Sequence, residues 1–221
     1  MLSSNTQRND SMPGAGPTAV ASLWGAARAA MNIFVIALFA LQAIASCRYF
    51  VSSGSVHAFG LLVVNTLFVT LFLFRSPPKV ESTSAGLWAL GIAGTALPLV
   101  MRPSDGSILA QTGAILQIVG FVLLAASLLS LRRSFGIVAA NRGVRSGGLY
   151  RWVRHPVYFS ELMLLLGFVL ANPTRINILI WLCECVLQYA RACAEERLLC
   201  SDPVYRAYRG QVRYRLLPGL I

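Results

Sequence analysis

Four uncharged runs, residues 29–47, 54–74, 82–101 and 106–131, restrict what this chain can become more than any other feature. Each is close to the roughly twenty residues that cross about 30 Å of hydrocarbon as an α-helix. A chain of 221 residues with 56% hydrophobic and 12% charged residues is also too apolar for an ordinary soluble domain. The expected fold class is therefore all-α, a polytopic integral membrane helical bundle in contact with membrane lipids.

Two further apolar stretches follow. Pro156 suits a first helical turn, where its missing N–H costs nothing, and residues 157–171 are almost wholly apolar up to the breaker Asn172, Pro173. Residues 176–190 then return antiparallel, which predicts a C-terminal helical hairpin. Six membrane segments are expected, with five as the alternative. Three regions result: a disordered cytoplasmic tail over 1–25, a four-span membrane region over 26–131, and a loop, hairpin and amphipathic tail over 132–221.

Charge sets the expected orientation. Of nineteen basic residues, Arg48, Arg102 and Arg175 fall on alternate turns and the rest on the opposite side. The positive-inside rule then places both termini, the loop before Pro156 and the C-terminal tail in the cytoplasm. Lys79 is the lone lysine, a bias that points to a GC-rich bacterial source and hence an inner membrane. The arginines flank membrane segments instead of forming a stripe on a soluble domain, so lipid headgroups and not nucleic acid are the expected counter-charge. Cys47, Cys183, Cys185, Cys193 and Cys200 contain no C-x-x-C pair, and no metal site is expected. His57, alone in an apolar span, reads as structural.

The chemistry concentrates around the hairpin. At about 1.5 Å of rise per residue on either side of a turn near residue 173, Arg191 falls level with His155, Gln188 with Tyr158 and Glu195 with Arg151. Glu184, Gln188, Arg191 and Glu195 are spaced four, three and four, so they share one face of a helix. Ionisable groups in membrane segments face a bundle interior or a watered cavity, which makes Glu161 and Glu184 candidates for function, or for ion pairs that join helices. The pattern reads as an active site at a membrane surface.

Four ordered motifs sharpen this: Ser146 to Tyr150; Arg154, His155, Pro156 and Tyr158; Arg191 to Glu196; and Tyr205, Tyr208, Val212 and Pro218. Over roughly residues 130–221 the chain resembles the isoprenylcysteine carboxyl methyltransferase family, which shares C-terminal motifs with phospholipid N-methyltransferases. The resemblance implies methyl transfer from S-adenosyl-L-methionine, held by the hairpin and not by a Rossmann domain; no G-x-G-x-x-G is present. The implied cofactor contacts are Arg142, Gly143, Val144 and Arg145 through their backbone, with Tyr150, His155, Pro156, Val157, Tyr158 and Glu195. The implied substrate-binding residue is Arg191. This sequence departs from the family in opening its glycine loop with Asn141 and Arg142, where a histidine is common, and in a shorter spacing from Glu196 to Tyr205.

These roles suit the residues. Glu195 can pair with the cofactor's ammonium while the tyrosine rings pack on its adenosine or cationic centre. Arg191 offers a permanently charged planar fork to an anionic acceptor. A carboxylate acceptor needs no strong base, whereas an amine or thiol would draw on Glu184 or Glu161. The expected substrate is a lipophilic small molecule or a lipidated one. Alternatives are a phospholipid amine or thiol methyltransferase, an NADPH-dependent sterol-type reductase, and a small transporter or lipid-binding protein. Asp202 and Pro203 open an amphipathic helix expected either on the leaflet surface or packed on the loop.

Overall fold

The computed structural model describes residues 17–78, 80–104, 107–217 and 219, with side chains from residue 24 onward except at 80 and 81. Seven α-helices are described: α1 (Pro17–Ser53), α2 (Val56–Phe74), α3 (Ala85–Ala96), α4 (Ala110–Leu131), α5 (Pro156–Ala171), α6 (Arg175–Leu199) and α7 (Pro203–Gln211). Four of these, α1, α2, α4 and α6, are long and apolar enough to cross a membrane. The shorter apolar helices Ala85–Val100, which is α3 with its 3-10 extension, and Pro156–Ala171 complete an all-α membrane bundle. The segment from Ser82 onward is thus shorter as helix than its apolar run, because Pro98 interrupts the regular hydrogen bonding. Exposed side chains such as Phe34 and Leu41 on α1 and Val186 on α6 face where lipid would lie.

Of the expected tail, residues 1–16 lie outside the description, while Pro17 opens α1, so 17–25 are helical. Proline at the first helical position is pre-set for that conformation.

The hairpin is formed by α5 and α6, turned by Asn172 and Pro173, with the Thr174 side chain capping α6 by accepting from the Asn177 N–H. At this end the Asn177 amide donates to the carbonyls of Arg102 and Asn172, at 2.8 Å each, tying the preceding loop to the turn. α5 lies against α4 where glycines remove side chains from both. A Cβ at Gly120 would come within 3 Å of the Leu164 backbone, and one at Gly167 within 3 Å of the Gln117 backbone. Leu124 and Leu128 fill the core beneath.

At the opposite end, two strands that no apolar alternation announces, β1 (Val80–Glu81) and β2 (Ala140–Asn141), pair antiparallel. They fasten the 75–84 connection to the loop that precedes α5. The C-terminal tail closes over this loop. Arg154 and His155 donate their backbone N–H groups to the carbonyls of Tyr214 and Arg215, and Tyr208 Oη donates to the Tyr150 carbonyl at 2.7 Å. Tyr205 and Tyr208 of α7 are buried against Tyr150, whereas Arg206 and Arg209 are exposed. The amphipathic helix therefore packs on the loop.

Candidate active site

The polar stripe on α6 is buried: Glu184 and Gln188 are essentially inaccessible and Arg191 is 7% exposed. Gln188 Nε2 donates to Glu161 Oε2 at 2.9 Å and to Glu184 Oε2 at 3.3 Å. Arg191 Nη1 donates to Gln188 Oε1 at 2.9 Å, and the guanidinium lies 4.7 Å from the centre of the Tyr158 ring. Room for that guanidinium comes from Gly94 on α3, where a Cβ would stand 3.0 Å from Arg191 Cδ.

The chain of contacts continues toward the loop. Tyr158 Oη donates to Glu195, and His155 stacks on the Tyr158 ring. The two nitrogens of His155 face two carboxylates, Nδ1 toward Glu195 at 3.5 Å and Nε2 toward Glu196 at 3.3 Å. Burial alone lowers the His155 pKa, but the hydrogen bonds and charges of Glu195 and Glu196 outweigh it and leave the pKa above its ordinary value. Glu196 is clamped further by Arg154 at 2.7 Å and Arg215 at 3.0 Å. Burial, reinforced by the Glu195 charge, pushes the Tyr150 phenol up, so it stays neutral.

The expected level pairing is corrected here. Arg191 meets Tyr158 instead of His155, Gln188 meets Glu161 instead of Tyr158, and Glu195 meets His155 and Tyr158 while Arg151 is exposed. The shift is about three residues. Long side chains on a helix lean toward its N-terminus, so heads on α6 reach back toward the hairpin turn and meet α5 nearly a turn deeper than their own Cα level.

Two cavities flank this network. A polar cleft of about 90 Å³, open to solvent, is lined by Arg142, Gly143, Val144, Arg145, Tyr150, His155, Val157, Tyr158 and Glu195, among others. Pro156 does not line it; the ring is buried at the start of α5. Gly143 has φ +100°, a conformation that L side chains rarely adopt, and it turns the 142–145 backbone along the cleft. Glu195 is the one carboxylate along this wall among the described residues, with 23% of its side chain exposed. An apolar chamber of about 270 Å³ lies on the other side, bordered by Arg191, Glu161 and Gln188 together with residues of α1 to α5. Glu184 stands behind Gln188 and reaches neither cavity. Phe135, Gly136, Val157 and Tyr158 line both cavities and form the partition between them.

Sequence reasoning missed the chamber. Its walls include His57, Asn65 and Gln117 from helices read as plain spans, and isolated polar residues in apolar runs were the available signal. It also missed Arg215 as the tail's clamp on Glu196. No cluster of metal-ligating side chains occurs among the described residues.

Residues 83–191 match the model of a family described as a protein of unknown function, DUF1295. The matched stretch runs from the start of α3 to Arg191, so it includes the loop and Glu161 and stops short of Glu195. The family model is not that of the isoprenylcysteine carboxyl methyltransferases. No curated protein matches the chain.

Proposed function

We propose that this protein is a membrane enzyme that moves a methyl group from S-adenosyl-L-methionine to a lipophilic acceptor, in the first instance a carboxylate. The observation that carries the reading is the shared partition: a charged cleft and an apolar chamber meet at Tyr158, where a polar ligand and a lipid could touch.

The cleft's residues fit the cofactor. One carboxylate faces it beside four tyrosines, Arg142, Arg145 and Arg154 line it as well and suit the donor's carboxylate end, and an open backbone turn lies at Gly143, where nothing is within 4 Å of a would-be Cβ. S-adenosylmethionine, when bound, supplies a methyl group activated by its sulfonium. Glu195 would pair with its ammonium, and Tyr150 and Tyr158 would pack on the adenosine or the cationic centre. On the chamber side Arg191, oriented by Gln188, receives the acceptor's negative charge. Arg191 also lies over Tyr158, so a carboxylate held at Arg191 would stand beside the partition, and alignment past the edge of that ring with exclusion of water would be the main source of rate for such a displacement. For an amine or thiol acceptor, Glu161 on the chamber wall takes the proton.

The membrane bundle is oriented, on this reading, with the cleft and both termini in the cytoplasm of a bacterial inner membrane. The test is calorimetry of the purified protein in nanodiscs with S-adenosylmethionine and, separately, NADPH, followed by transfer of labelled methyl to a panel of lipophilic carboxylates, amines and thiols. Binding of the methyl donor and labelled ester supports the proposal. Binding of NADPH alone would replace it with a membrane reductase.

A further inference from the structure

Where α4 ends, a groove of about 470 Å³, open to solvent, lies between Leu129, Ser130 and Arg132 on one side and residues 144–148 of the glycine loop on the other. Two arginines, Arg132 and Arg145, line it and no carboxylate does. The span Ala110–Ser134 finishes here, and Leu129, 59% exposed, faces where lipid chains would lie. Arg132 is the one non-glycine residue with positive φ among the described residues, at +53°, in a helix-end position that normally falls to glycine. Its guanidinium does not turn back onto the last carbonyls of α4, the usual use of a basic residue there, and bonds to nothing else among the described residues. Arg145 donates through Nε to Ser134 Oγ at 3.2 Å, which fixes its stem and leaves its Nη groups open. The amides of Ser146 and Gly147 donate to no described group. Gly148, at φ +60°, presses this loop against α4 so closely that a Cβ would stand 2.1 Å from Ser130 Oγ.

We infer that this groove binds the phosphate of an anionic phospholipid from the leaflet on the cleft side, between Arg132 and Arg145, with the acyl chains running down beside Leu129. Guanidinium groups together with unengaged backbone amides are the donor set that holds phosphate oxygens. The absence of a carboxylate from the wall selects a net negative headgroup over a zwitterionic one, whose ammonium would find no counter-charge. A lipid suits the groove better than a free phosphate because the groove opens at the end of a membrane span with an apolar rim. The inference is independent of the methyl-transfer reading. It bears on the cleft all the same, since Val144 and Arg145 border both spaces and a lipid held on one side braces the wall of the other.

The experiment is native mass spectrometry of the full chain in detergent with phosphatidylglycerol and phosphatidylcholine in competition, joined to hydrogen exchange in nanodiscs made with and without phosphatidylglycerol. The wild type should retain phosphatidylglycerol preferentially, and that lipid should slow exchange over residues 144–148. Arg132→Gly removes the guanidinium and suits the local backbone, so the variant should fold, lose about five-fold of the preference and lose the slowed exchange. Arg145→Gln should act in the same direction from the other wall. Arg209→Gln, an exposed arginine of α7 outside the groove, should keep both effects. Equal retention of the two lipids by the wild type would overturn the inference. So would an equal loss in Arg209→Gln, which would assign the preference to diffuse surface charge. Displacement of the lipid by glycerol phosphate at comparable concentration would replace the lipid with a soluble phosphate ester.

Discussion

Glu195 and Glu196 are neighbours in sequence, but about 100° of helical rotation separates their side chains, and neutralising each should have a different consequence. Glu195 lines the cleft with 23% of its side chain exposed, and its contacts are Tyr158 and His155. A glutamine keeps an oxygen that accepts from Tyr158 and removes only the charge. A hydrogen bond to a charged group contributes about 1.5–3 kcal/mol, and partial exposure places this one at the lower end. Glu195→Gln should therefore weaken S-adenosylmethionine binding about ten-fold and, because His155 keeps Glu196, lower the thermal midpoint less than loss of Glu196 does. Glu196 is 3% exposed and faces Arg154, His155 and Arg215 together. Removing one partner from a buried ion cluster leaves the other charges uncompensated, at a cost of about 3 kcal/mol or more. Glu196→Gln should accordingly lower the midpoint by about 6 °C or more, since each kcal/mol is worth about 2–4 °C in a chain of this size. Isothermal titration and a thermal shift assay on the same two variants decide the matter. Wild-type affinity in Glu195→Gln, or wild-type stability in Glu196→Gln, would refute the division of labour.

Other outcomes follow from the same geometry. Arg191→Lys keeps the charge but loses the planar fork over Tyr158 and to Gln188, so turnover on a carboxylate should fall strongly with donor affinity unchanged in calorimetry; a lysine variant of near wild-type turnover would reduce Arg191 to packing. His155 has a raised pKa in the folded state, so its contribution to stability is complete below its unfolded pKa of about 6.5 and is lost as pH rises through the folded value. Midpoints of the wild type should fall over that alkaline window, and in His155→Asn they should fall less; parallel pH profiles would contradict the assignment. Gly167→Val places a branched side chain against the Gln117 backbone and should destabilise by about 1–3 kcal/mol or prevent assembly of α4 with α5, read from detergent stability. Cysteines introduced at exposed Ser146 and Arg175, in a background without cysteine, should label from opposite faces of inverted and right-side-out vesicles; labelling of both from one face would overturn the topology.

Sequence alone reached the bundle and the hairpin, because span length and the Asn172, Pro173 break are local properties that need no knowledge of neighbours. The grouping of Arg142 to Arg145, Tyr150, His155, Tyr158 and Glu195 is what the family resemblance implied, while the hairpin by itself implied only that residues some forty apart, such as Tyr158 and Glu195, share one end. The depth pairing was off by about three residues because Cα levels ignore the lean of long side chains. Tertiary structure decided the rest. The pairing of β1 with β2 follows no apolar alternation, and the clamp of Arg215 on Glu196 joins residues that no periodicity connects. The chamber arises only where six helices fail to fill the space between them, so His57, Asn65 and Gln117 become its lining through packing, while in sequence each is a single polar letter in an apolar run.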